Sequence, residues 1–449
     1  MRTLVLVDGQ HLSSVVRAAI QHLPLRIPGS TVVGAALIGP GEKLDESDLA
    51  NLGTPVVAGN GHSDPLDEGL DRFRPELVVD LSDEPVLDAR TRLQLSARVL
   101  VRGIPYVGAD FRFDPPPRPR IATKPSIAVI GTGKRTGKTA IAASVARLLA
   151  ANGTPPVIVA MGRGGPPEPE LVDPNAFDLS PAGLLALAES GRHAASDHLE
   201  DAVMARVTTV GTRRCGGGLA GAPCDDTFAA GVELANARGE ALLVFEGSGT
   251  AIPPAHADAT ICVVPAGADP ELVTGYLGAY RVLLSDLIVV TMAEPSFVDS
   301  GAGVLEKCVR GLAPGVRVVH TVFRPFPLEP ISGRRVFFVT TAPPSALPVM
   351  ADHLEHEHGG KVVGASTRLA DRQALAGDLE AMPDADVLLV ELKAAAVDLA
   401  VRMALERRLD IVFSDNRAVT VGGDGPFDEL ALAVAGDAVA RFSKGDSRH

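Results

Sequence analysis

SIAVIGTGKRTGKTAIAASVARLLAANG, residues 126–153, is the stretch on which the fold turns. After Ser126 comes an unbroken apolar run, Ile127–Ile130, ending on Gly131, the pattern of a strand buried on both faces. From Thr139 onward, Ala, Val and Leu recur at helical spacing up to Gly153, a natural stop. Between strand and helix stand Gly131, Gly133 and Gly137, followed by Lys138 and Thr139. Glycines let the chain curl so that successive amides point inward at phosphate oxygens, and the helix adds its positive end. Lys138 is then placed to neutralise terminal phosphates, and the Thr139 hydroxyl to ligate Mg²⁺. The strict GxxxxGK[ST] pattern would need glycine at 132, where Thr132 stands. The glycine comes one residue earlier, so the frame is one residue longer. We therefore expect ATP and Mg²⁺ to bind here, with Gly131, Thr132, Gly133, Thr136, Gly137, Lys138, Thr139 and Ala140 forming the cradle.

Other strand ends should line the same crevice, since ligands in open α/β sheets lie at the carboxyl ends of strands. MGRGG (161–165) places Arg163 between glycines, which suits an anion. FEGSG (245–249) ends an apolar strand on Glu246, a carboxylate suited to the metal side. TMAE (291–294) offers Thr291 and Glu294 to the nucleotide base. RRCGGGLAGAPC (213–224) sets Arg213 and Arg214 before Gly216, Gly217 and Gly218, where forked guanidinium groups and free amides would hold a phosphate. Lys134 and Arg135, inside the phosphate loop, are further cationic candidates. Arg112, in FRFD, and Lys393, in ELKAAAVD, lie near strand ends and are expected to reach a ligand. HLEHEH (353–358) invites a metal reading, but on a helix it reads better as a solvated face.

Strands alternate with helices on both sides of this centre, which argues for parallel sheets throughout. The segment FRFDPPPRPRIATKP (111–125) has prolines at 115, 116, 117, 119 and 125, so it cannot be helix or central strand. The pattern breaks again around FRPFPLEPISG (323–333). The expected architecture is α/β: a P-loop parallel-sheet domain over 121–330, flanked by Rossmann-like α/β domains at 1–120 and 331–449. The 46% apolar and 4% aromatic content suits such layers. A net charge of −13 with no basic stripe argues against nucleic acid. Four cysteines without a pairing framework point to a reducing compartment, and no run approaches the roughly 18 apolar residues of a membrane span. MRTLVLVDGQH at the start reads as a strand and not as a signal sequence. These features lead to an expectation of a soluble cytoplasmic protein.

The loop frame GTxxxxGKT and the FEGSG segment resemble dethiobiotin synthetase and its class of dimeric P-loop enzymes. Eight segments together resemble the cyclic 2,3-diphosphoglycerate synthetase family: DGQH (8–11), GIPYVGADFRFDPP (103–116), GTGKRTGKT (131–139), MGRGGPPEPE (161–170), RRCGGG (213–218), FEGSGTAIPP (245–254), ELKAAAVD (391–398) and SDNR (414–417). The chain departs from that family's pattern at Gln10, where the family has Glu. The resemblance spans the chain. It implies ATP-driven closure of a phosphoanhydride between the two phosphates of 2,3-diphosphoglycerate, in a homodimer. Lys138, Lys134, Arg135 and Glu246 are then the expected catalytic residues and Thr139 and Glu246 the expected metal ligands. Arg163, Arg213, Arg214, Gly216, Gly217, Gly218, Arg112 and Lys393 are the expected substrate contacts. The residues alone also fit a kinase or ligase for another small phosphorylated or carboxylate metabolite. A nucleotide-switched regulatory ATPase fits less well, because no His- or Cys-rich metal tract is present.

Overall fold

The computed structural model describes residues 1–39, 46–59, 64–193, 196–294, 301–392 and 397–445. Its strands form two sheets. The first holds β1 (Arg2–Val7), β2 (Thr31–Leu37), β3 (Val56–Val57), β4 (Leu77–Asp80), β5 (Tyr106–Val107) and β6 (Arg112–Phe113), in the order β3-β2-β1-β4-β5-β6. All neighbours are parallel except β5 and β6. Chain order reverses between β1 and β4. There the buried Asp8 accepts from the amides of Gln10 and Asp83, at 2.9 and 2.8 Å.

The second sheet has thirteen strands among the described residues. They are β7 (Ser126–Gly131), β8 (Pro156–Gly162), β9 (Glu170–Val172), β10 (Thr209–Cys215), β11 (Asp225–Asp226), β12 (Leu242–Glu246), β13 (Ala259–Pro265), β14 (Leu287–Thr291), β15 (Arg317–Pro327), β16 (Arg335–Val339), β17 (Lys361–Ser366), β18 (Val387–Glu391) and β19 (Asp410–Gly423). The order is β11-β10-β8-β12-β7-β13-β14-β15-β19-β18-β16-β17, with β9 alongside β10. From β10 to β15 the core strands are parallel, and β7 lies in the middle, buried along its whole length. Five consecutive buried residues in each of β12 and β14 explain their unbroken apolar sequences.

The break expected around residues 323–333 is not where the sheet ends. β15 runs on through Pro327 and pairs antiparallel with β19, from Val319 opposite Gly423 to Pro327 opposite Ser414. Beyond His320 this strand has no β14 neighbour. Leu328 N–H donates to Phe413 O, so by alternation the missing N–H groups of Pro325 and Pro327 fall on the open side, where no ladder bond is lost. The antiparallel seam joins the parallel strands β16–β19 to the central ones in one sheet. The two sections also share a core: Ile127, Val145, Leu149 and Leu184 pack in one cluster with Leu388, Phe413 and Val434.

The helix after the phosphate loop, Lys138–Ala151, is enclosed in this core. That is why it carries small residues nearly all round, with Ala140, Ala142, Ala143 and Ala146 buried. Its Arg147 reaches Asp415 of β19 at 2.8 Å. The first sheet docks on the opposite face through the helix Ala89–Leu100, whose Ala97 and Leu100 join the cluster of Ile130, Phe245 and Ile288.

Candidate active site

The phosphate loop connects the carboxyl end of β7 to the helix Lys138–Ala151. Gly137 has φ +94°, and a Cβ there would collide with the Phe323 ring of β15. A Cβ on Gly131 would lie 2.9 Å from the Lys138 side chain and from Thr136 Oγ1, so only glycine leaves room for the lysine to cross the loop. Lys138 Nζ donates to Gly133 O at 2.7 Å and to Thr136 Oγ1 at 3.3 Å. Thr291, at the end of β14, donates to Thr136 O at 2.8 Å and so braces the loop from the side. Thr132 N–H is held by Val263 O, and Ala140 is buried at the first helical turn. Lys134 and Arg135 stand exposed at the loop's turn, Arg135 with φ +60°. Burial pushes the Lys138 ammonium down to about 8, against the opposing pull of Glu246 and Asp197.

Glu246 ends β12 beside the loop. Its Oε1 accepts from Thr139 Oγ1 at 2.6 Å. The fully buried Asp201 carboxyl abuts that of Glu246, and apart from each other neither Glu246 Oε2 nor the Asp201 oxygens have a hydrogen-bond partner among the described residues. Burial first, then the charge of Asp197, raises Glu246 to about 7. Asp201 is raised well above the usual carboxylate range by complete burial and by Glu246. Hard oxygen donors with unused lone pairs beside a P-loop threonine suit Mg²⁺. Among the described residues no three His, Cys, Asp or Glu side chains converge to hold an ion by themselves, so most of its shell would be phosphate and water. Asp197 and Asp201 escaped the sequence reading. They sit four apart on the helix Asp197–Ala205, and nothing in DHLED distinguishes a buried acidic face from a solvated one.

The cationic side is built by three loops. Arg163 follows β8, and a Cβ on Gly165 would strike Thr212 O, so this loop lies against the end of β10. Arg214, on β10, donates to Gly216 O at 2.6 Å and to Ser248 O at 2.7 Å. Gly249 has φ +62°, and a Cβ there would come within 2.5 Å of an Arg163 guanidinium nitrogen and 3.2 Å of one from Arg214. The structure therefore gathers Arg163, Arg214 and the Glu246–Thr250 turn. Arg213 presents an exposed side chain from the same strand while its amide bonds Thr227 Oγ1 at 3.1 Å. Gly216 has φ +70°, Gly218 N–H bonds Ala222 O, and Gly217 lies between them.

Other candidates have local partners. Glu294 receives a two-toothed bond from Arg324 of β15, at 2.6 and 3.0 Å. Arg112 makes the same kind of bond with Asp114 two residues on. Lys393 lies outside the described residues. His353 and His358 pack ring to ring at 5.5 Å, and His358 meets Phe326 at 5.0 Å.

A glycine-lined loop between a buried parallel strand and a helix, with lysine and threonine at the junction and a carboxylate on the neighbouring strand, defines a P-loop nucleotide-binding protein. Within that class the comparisons go further. Three family models cover nearly the whole chain: the N-terminal domain of cyclic 2,3-diphosphoglycerate synthetase over residues 2–114, its P-loop domain over 126–322 and its C-terminal domain over 327–417. The chain belongs to the cyclic 2,3-diphosphoglycerate synthetase family. It is 46% identical to the protein of that name from Rubrobacter xylanophilus, over 97% of this chain and 98% of the relative. It is 44% identical to that of Thermococcus gammatolerans, over 94% of each. With that of Methanothermus fervidus the identity is 39%, over 98% of each.

Proposed function

We propose that this protein uses ATP to convert 2,3-diphosphoglycerate to its cyclic form, releasing ADP and phosphate. The observation that carries the reading is the Lys138–Thr139–Glu246 arrangement within a chain similar over its full length to relatives named for that product. One substrate phosphate oxygen attacks the γ-phosphorus of ATP and ADP leaves. The second substrate phosphate then attacks the phosphorus so activated. Inorganic phosphate leaves and the P–O–P ring closes.

Both steps bring anions together, so charge neutralisation and alignment matter more than proton transfer. Lys138 spans the loop toward the β- and γ-phosphates, with Gly131, Thr132, Gly133, Thr136, Gly137 and Ala140 shaping the cradle. Thr139 and Glu246 would hold Mg²⁺, which when bound supplies charge to the phosphoryl oxygens. Arg163, Arg213, Arg214 and the glycines at 216–218 take the substrate phosphates, with Lys134 and Arg135 as further cations at the mouth. Thr291 braces the loop, and Glu294, fixed by Arg324, meets the base. Arg112 and Lys393 are assigned to the substrate's outer approach.

On this reading the chain divides near residues 120 and 330 into Rossmann-like units flanking the P-loop unit, and it acts as a cytoplasmic homodimer. Among the described residues no helix is long and apolar enough to cross a membrane.

The test is ADP release by the full chain with ATP and Mg²⁺, with and without 2,3-diphosphoglycerate, and ³¹P spectra of the products. Substrate-stimulated ADP release with an upfield phosphoanhydride signal from the ring is expected. ADP release indifferent to the substrate would overturn the assignment.

A further inference from the structure

Arg281 lies on the short helix Ala279–Leu283, where neither motif nor spacing draws attention to it. It is 4% exposed. Its Nε and Nη2 both donate to Thr250 O, at 3.1 and 2.6 Å. Among the described residues its ionisable neighbours are the buried Cys262 thiol and the Tyr280 hydroxyl, not a carboxylate, and burial holds its guanidinium below the usual arginine range. A buried cation without a counter-ion is costly. Such a group is stabilised when an anion shares its surroundings.

Its surroundings are the two loops assigned above to the substrate. Thr250 closes the turn that starts at Glu246. Ser248 and Ala251 bond each other in both directions, at 3.2 and 2.9 Å, so fixing Thr250 O fixes the turn. On the far side Arg214 grips Ser248 O at 2.7 Å. A trans peptide points the following N–H away from its carbonyl, so the Gly249 N–H is turned off the Arg214 side. The amides of Gly249 and Thr250 have no partner among the described residues. Arg281 also underlies the glycine loop: a Cβ on Gly221, at φ +94°, would sit 3.0 Å from its Nη2, and Gly221 O accepts from Ile252 N–H at 2.8 Å. One guanidinium thus sits beneath both loops, with Arg163 above Gly249.

We propose that Arg281 is the positioning residue of a phosphate nest formed by the 248–251 turn, in which the Gly249 and Thr250 amides and Arg163 receive one phosphate of the substrate. This rests on the synthetase reading for the identity of the molecule that carries the phosphate, but not for the existence of an anion site.

The test uses the full-length enzyme with Arg281→Met, Arg281→Lys and, leaving Arg281 in place, Gly249→Ala. Losing a charge-assisted hydrogen bond in a buried site corresponds to roughly a 10- to 100-fold change. The KM for 2,3-diphosphoglycerate should rise by about that factor in Arg281→Met and Gly249→Ala and recover in part in Arg281→Lys. The KM for ATP should stay within about twofold. A folded Arg281→Met enzyme with unchanged substrate KM, or with both KM values raised alike, overturns the proposal. If Arg281→Met does not fold, an unchanged substrate KM in Gly249→Ala overturns it. If the unmodified enzyme does not turn over 2,3-diphosphoglycerate, the synthetase reading fails by itself. The nest is then read by calorimetric titration of inorganic phosphate into enzyme saturated with a non-hydrolysable ATP analogue. Binding weakened by Gly249→Ala supports the nest, and binding that is absent or unaltered overturns it.

Discussion

Lys138 shows how far one residue's role follows from its surroundings. It is 8% exposed, its ammonium bonds two loop oxygens, and burial has already taken its affinity for a proton down to about 8. Incoming phosphates would supply the charge that its pocket lacks. Lys138→Ala should lower turnover by on the order of 10²–10³, measured as ADP release at saturating ATP, because it deletes a donor aimed at developing charge. Near-normal turnover would remove the loop from the mechanism. Glu246 makes a pH prediction. Burial and Asp197 raise its carboxyl to about 7, so below that pH a proton occupies the group that would bind Mg²⁺. A carboxyl with a raised pKa loses its charge as pH falls, so the Mg²⁺ needed for half-maximal activity should climb by about tenfold per pH unit below 7 and level off above it. A flat profile between pH 5.5 and 8 would argue against Glu246 as ligand.

Among the elements, the helix Lys138–Ala151 does two jobs. Its first turn belongs to the phosphate loop, and its third turn carries Arg147, which joins Asp415 of β19 and donates to Met204 O. Asp415 is 2% exposed, and removing Arg147 leaves it only the longer pair with Arg417, at 3.6 Å. Breaking a buried pair from one side typically costs about 3–5 kcal/mol, an upper bound here because Arg417 remains. Arg147→Met should therefore lower the unfolding midpoint strongly, and adding Asp415→Asn should restore much of it. Additive losses in the double variant would show that the two residues act separately. The helix itself was legible: Gly137, the apolar spacing and Gly153 mark its limits. Its alanine content was legible only as helix propensity. That alanines are needed because strands pack on both sides depends on β19, some 270 residues away.

For the whole molecule, the point of interest is the single sheet running from β11 to β17. Central and C-terminal strands share both hydrogen bonds across β15 and β19 and the core around Val145, Leu388 and Phe413. Such a unit cannot lose half its strands without exposing the rest, so both sections should melt in one calorimetric transition. Two resolved transitions, one assigned to each section by proteolysis, would contradict this. A chain ending after Leu328 should fail to fold for the same reason, since it strips β19 from β15 and leaves that core open.

By itself the sequence determined the parts whose physics is local. A glycine frame with GKT between strand and helix makes a phosphate loop wherever it folds, and apolar runs such as ALLVFE and LIVVT make buried parallel strands. It also placed Glu246 and Arg163 at strand ends, because strand direction fixes where ends fall. The tertiary structure decided what depends on distant segments meeting. It put Asp201 against Glu246, turned Glu294 toward Arg324, and set Arg281 under Thr250. It also carried β15 through two prolines into an antiparallel seam. The reason is the same in each case: a side chain's spacing reports which face of its own element it occupies, whereas burial and pairing depend on the surface that another part of the chain brings against that face.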